Sequence, residues 1–158
     1  MADDAIGKIL DAWKAVLEAW PALAGETILS DLSPDEALDG ETELPVIVIY
    51  TEAWDFDQSP YQGQTHHTVL INFERIETSA NVGVVSRSNS EILGEVIKAI
   101  HANRTLGGRL ESAEEQNIAP PGSDFRKSVA GASLQTIQHF YTPRGDHFTI
   151  VGQGGATF

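Results

Sequence analysis

Cysteine is absent from this 158-residue chain, which excludes disulfides, thiol catalysis and cysteine-ligated zinc. No apolar run approaches the ~20 residues of a membrane-spanning helix. The first residues, Met1-Ala2-Asp3-Asp4, are acidic where a secretory leader would be basic. The expectation is a soluble protein made and used in the cytoplasm. Basic residues are scarce too: 10 Lys and Arg stand against 23 Asp and Glu, a net charge of −13. No Lys or Arg separates Lys14 from Arg75, an interval that holds twelve acids. Such a surface repels phosphate, so nucleic-acid binding is not expected. In plain terms it is a solvated acidic face that keeps the chain soluble.

What is present fits one domain, large enough to bury roughly 70% of its unfolded surface without a metal or disulfide. The centre of the chain is Glu43–Thr51, where Leu44-Pro45-Val46-Ile47-Val48-Ile49-Tyr50 is nearly continuous apolar sequence. Four successive β-branched residues there favour a strand covered on both faces. Thr65–Arg75 reads as a second strand, with His67, Val69, Ile71 and Phe73 on one face and Thr68, Leu70 and Asn72 on the other. Glu52–Gly63, with Asp57, Ser59-Pro60 and Gly63, reads as a long loop between them.

Ahead of this pair, Ala2–Trp20 carries Ile6, Ile9, Leu10, Trp13, Val16, Leu17 and Trp20 at helical spacing. Asp3 or Asp4 caps that helix and Pro21 ends it. Thr27-Ile28-Leu29 is a candidate minor strand, and Ser33-Pro34-Asp35-Glu36 opens a helix of about one turn. Further on, Ser88-Asn89-Ser90-Glu91 is a capping-box pattern, and Ile92, Leu93, Val96, Ile97 and Ile100 form the stripe of a second helix that ends near Gly107-Gly108. Leu110–Ile118 reads as a polar edge strand, Ala119–Ala132 as a long loop and Ser133–Tyr141 as a fourth strand. Thr142–Phe158, rich in glycine, reads as a mobile arm. The expected fold is α+β, a two-layer sandwich over residues 1–142. It has two main helices on one face of a mostly antiparallel four-stranded sheet, with residues 143–158 as a C-terminal arm.

Motifs that carry chemistry are few. His66 and His67 are adjacent on a strand and point to opposite faces, so they do not chelate one ion. His101, His139 and His147 have no partner at ligand spacing, and no metal or cofactor is expected. Asp55 and Asp57 share a face if extended, as paired carboxylates require, although solvation is the simpler reading. Gly152-Gln153-Gly154-Gly155 lacks the Lys-Ser/Thr and helix of a phosphate loop. Asn103-Arg104-Thr105 and Arg144-Gly145-Asp146 match glycosylation and adhesion tripeptides only by letter. No Gly-x-Ser-x-Gly elbow is present. The chain reads as an interaction protein and not an enzyme, with no catalytic residue assigned. Trp54, Phe56 and Tyr61 are candidate partner contacts, and Phe158 is a candidate anchor on a neighbouring subunit.

The order of these elements resembles the tail terminator proteins of long-tailed bacteriophages, of the minor tail protein U type. The likeness runs over roughly residues 2–142. It comprises the N-terminal helix, an acidic connection into Leu44–Thr51, the strand His67–Glu74, the helix Asn89–Ala102 and a closing strand Ala132–Tyr141. The resemblance implies a homo-oligomeric ring, usually six-fold, which caps the tail tube and stops its growth. It then presents a surface to the head-completion or neck protein. It implies as partners the major tail tube protein and further copies of this chain, and as location the head-proximal end of the virion tail, assembled in the host cytoplasm. Under that reading Glu52, Asp55 and Asp57 line a lumen through which DNA passes without specific binding. The alternatives are a head–tail joining adaptor, a small acidic enzyme using Asp55, Asp57 and the histidines, and a regulator that binds a basic partner.

Overall fold

In a computed structural model, residues 4–30, 44–58, 63–78, 86–119 and 129–158 are described. Helix α1 spans Ala5–Glu18, and helix α2 spans Arg87–Ala102. The strands are β1 (Thr27–Ser30), β2 (Val46–Gln58), β3 (Gln64–Thr78), β4 (Ser112–Ala119) and β5 (Val129–Pro143). They form one sheet in the order β1-β2-β3-β5-β4. The short helix expected from Ser33 lies outside the described residues.

The sheet corrects the expected four-stranded antiparallel one. It has five strands and is mixed, because β1 pairs in parallel with the start of β2, from Thr27↔Val46 to Ser30↔Ile49. The other pairings are antiparallel. Four residues suffice for β1 because Ile28 is buried beneath the helices and Leu29 packs on the opposite face. The other differences are of extent. Asp4 caps α1 by accepting from the Gly7 N–H at 2.7 Å. Ser86, not Ser88, caps α2, its Oγ accepting from the Asn89 N–H at 3.0 Å. Ser88 Oγ instead accepts from Arg75 Nη1 at 3.1 Å.

Both helices pack on one sheet face. Ile6, Ile9, Trp13 and Leu17 of α1 and Leu93, Val96 and Ile100 of α2 share a core with Ile47, Ile49, Val69, Ile71, Phe73 and Phe140. Each such side chain contributes roughly 1.5–3 kcal/mol by burial. Trp13 belongs to this core, edge-on to Phe73 at 5.9 Å between ring centroids. Its indole N–H donates to Gln138 Oε1 at 2.7 Å, so the burial leaves no orphaned donor. A smaller cluster of Val46, Val48 and Ile76 lies on the other face.

The segment after β5 is an integral part of the fold, contrary to the mobile arm expected. Val151 bridges to both Tyr141 and Thr157, and Ile150 and Phe158 exchange backbone hydrogen bonds of 3.1 and 3.0 Å. Ile150 is fully buried. Its closure requires glycine, since Gly154 and Gly155 have φ of 69° and 78°.

Candidate functional site

The expected loop Glu52–Gly63 is mostly strand. β2 continues to Gln58, paired with β3 through Gln58↔Thr65, and one irregularity between Thr51 and Ala53 resets its faces. β1 stops opposite Ile49, and no other strand among the described residues flanks β2 beyond that point. β4 begins opposite His139. Among the described residues the end of the sheet is therefore three strands wide, with β2 at its edge.

Alternation gives the two faces of this end opposite chemistry. On the helix face, Trp54 and Phe56 lie 6.2 Å apart, and each ring is within 6 Å of His147. They are 37% and 61% exposed, and nearby Phe148 is 56% exposed. Beneath them His67 is fully buried and stacked on Phe140, with centroids 4.5 Å apart. The Trp54 indole can only donate, so its 2.9 Å contact fixes His67 Nδ1 as acceptor. The imidazole proton then sits on Nε2 and is donated to Thr142 Oγ1 at 2.8 Å. Burial, then the neighbouring His147 and His66, push the His67 pKa down to about 4.

On the opposite face stand Glu52, Asp55 and Asp57, all exposed. Glu52 accepts from Asn72 Nδ2 at 2.9 Å and from Gln135 Nε2 at 3.2 Å. Asp57 Oδ1 lies 3.3 Å from His66 Nδ1. His66 Nε2 in turn lies 3.2 Å from His139 Nδ1, and Thr68 Oγ1 is 3.3 Å from that same nitrogen. Deeper on this face Tyr50 is raised to about 12, chiefly by burial, with its hydroxyl 3.2 Å from Glu74 Oε1.

The candidate residues are thus divided. Trp54 and Phe56 come together, and Glu52, Asp55 and Asp57 share the other face. Tyr61 lies outside the described residues. Phe158 packs on its own core, with the Arg109 guanidinium 4.5 Å over its ring. The sequence reading missed the Asp57–His66–His139 chain, because residues 73 positions apart meet only through the β3–β5 register, Thr68↔His139. It also missed a cavity of about 500 Å³ bounded by Gln64, Arg109, Glu111, Tyr141, Val151 and Gly152–Gly155. Asp55 and Asp57 do not line it. Among the described residues, no group of three or more His, Asp or Glu is placed to hold a metal ion. No protein-family model matches the chain, and no curated protein matches it either.

Proposed function

We propose that this chain is a structural tail protein of a long-tailed phage, a terminator whose copies form a ring on the tail tube. The observation that carries the reading is the end of β2 beyond Ile49. One strand there presents aromatic side chains to one side and carboxylates to the other. A closed ring needs just such a separation. Each subunit must offer a sticky surface to its neighbour and leave a different surface free for the channel. Exposed aromatics serve the first purpose, since rigid apolar rings dominate contact energy. Glu52, Asp55 and Asp57 serve the second, because like charge keeps passing DNA from adhering.

In this reading the ring docks on the tube protein by one rim and on the neck protein by the other. The chain acts by occupying a surface, and no step of it requires a cofactor. The direct test adds purified protein to polymerising tail tube subunits. Tubes that stop at the length reached on addition support the reading. Unchanged elongation, with no protein retained at tube ends, opposes it.

A further inference from the structure

His66 and His67 face opposite sides of β3, so neither helps the other to hold an ion. The register between β3 and β5 gives His66 a different partner. His66 stands opposite Tyr141 and Thr68 opposite His139, so His66 and His139 are diagonal neighbours on one face, a spacing that aromatic side chains can bridge. Their rings lie within 5° of parallel with centroids 5.2 Å apart, and His66 Nε2 is 3.2 Å from His139 Nδ1. Tyr141 flanks the pair, its ring 5.1 Å from that of His66. On the β2 side, Asp57 Oδ1 lies 3.3 Å from His66 Nδ1.

We propose that His66 Nε2 and His139 Nδ1 together bind a divalent transition-metal ion, with zinc the best geometric match and water in the remaining positions. The Asp57 carboxylate can only accept, so His66 carries its proton on Nδ1 and turns the Nε2 lone pair toward His139. Here His139 donates its Nδ1–H to that lone pair. Moving this one proton to the other nitrogen of His139 leaves two neutral imidazoles whose lone pairs are 3.2 Å apart. Two nitrogens held at 2.0–2.1 Å by a tetrahedral ion stand roughly 3.3 Å apart, so the backbone need not move. Each ring only pivots until its lone pair leaves the line between the nitrogens and meets the ion. The Thr68 hydroxyl, 3.3 Å from His139 Nδ1, rotates to suit either tautomer. Asp57 behind His66 is the carboxylate–histidine arrangement that orients a metal-bound imidazole. Imidazole selects zinc, nickel and copper over magnesium and calcium, which prefer oxygen. The chain's net charge of −13 raises the local concentration of any cation. Bound there, the ion clamps β3 to β5 at the end of the sheet.

The test titrates the full-length chain, free of any affinity tag, with zinc chloride in a calorimeter. Excess magnesium in the buffer occupies the surface carboxylates. A saturable isotherm with a single ion per chain is expected. His66→Ala and His139→Ala should each weaken binding on the order of tenfold or more, and Asp57→Asn roughly tenfold. His101→Ala, at the exposed end of α2, should change nothing. If either alanine variant fails to fold, the wild-type chain loaded with Cu²⁺ still decides the matter. Electron spin-echo modulation counts the imidazoles on the copper, and two are expected. One imidazole or none, a zinc isotherm that does not saturate, or a loss on His101→Ala equal to that on His139→Ala would overturn the proposal.

Discussion

His67 and Arg75 are the residues whose chemistry is most tightly fixed by their surroundings. His67 is neutral in the fold, with its Nδ1 lone pair committed to Trp54. Its folded pKa of about 4 lies below the ordinary 6.5. The unfolded chain therefore binds a proton between those values that the folded chain does not, and stability falls as pH drops through that window. The loss is no more than about 3 kcal/mol, fully recovered above the ordinary histidine pKa. Urea titrations of the wild type and His67→Gln should show the wild type losing ground to the variant between pH 6.5 and pH 4. A constant difference would contradict the assignment. Arg75 is buried, donating to Glu26 at 3.1 and 3.0 Å, to Glu77 at 2.8 Å and to Asn89 Oδ1 at 2.9 Å. Burial alone would raise the Glu77 carboxyl, but hydrogen bonds from Ser86 and Arg75 outweigh it and hold it below its usual range. Replacing Arg75 by Met strands the largely buried Glu26 carboxylate and leaves the half-buried Glu77 with only its serine donor, and should cost roughly 3 kcal/mol or more in the same titration. None of this was legible beforehand, because Glu26 and Arg75 are joined only by the fold.

At the scale of the element, β2 shows how a strand can be mistaken for a loop. Trp54-Asp55-Phe56-Asp57 alternates apolar and acidic with the period of a half-buried strand. The turn signals Asp57 and Ser59-Pro60 made the stretch read as irregular, although they mark only its end. The second helix was legible in its stripe, while its cap was not, since Ser86 and Ser88 are equivalent by composition and only the Arg75 contact separates them. Within β2 the two exposed aromatics should differ sharply on truncation. Phe56→Ala should leave stability within about 0.5 kcal/mol. Trp54→Ala, which leaves the buried His67 Nδ1 without its donor, should cost about 1–3 kcal/mol. Thermal melts of the two variants check the contrast, and equal losses would refute the hydrogen-bond assignment. On the other face, exchanging Glu52, Asp55 and Asp57 for Lys should slow DNA ejection from assembled particles. Ejection at the wild-type rate would argue against a lumen position.

For the molecule as a whole, the two-helix layer and the antiparallel centre followed from periodicity that local sequence carries. The fifth strand was visible only as the minor candidate Thr27-Ile28-Leu29 and was left out of the expected sheet, because four residues with one buried isoleucine do not say which strand they pair with. The C-terminal segment reads as mobile from its glycines, yet those glycines supply the positive φ that folds it back onto Tyr141. The face-to-face opposition of aromatics and acids appears only once β2 is extended and paired, and the ring proposal depends on it. Tail length in a lysate from which only this gene is deleted, measured by electron microscopy, tests that proposal most directly. Overlong tubes without heads are the expected result. Intact virions with tails of normal length would contradict it.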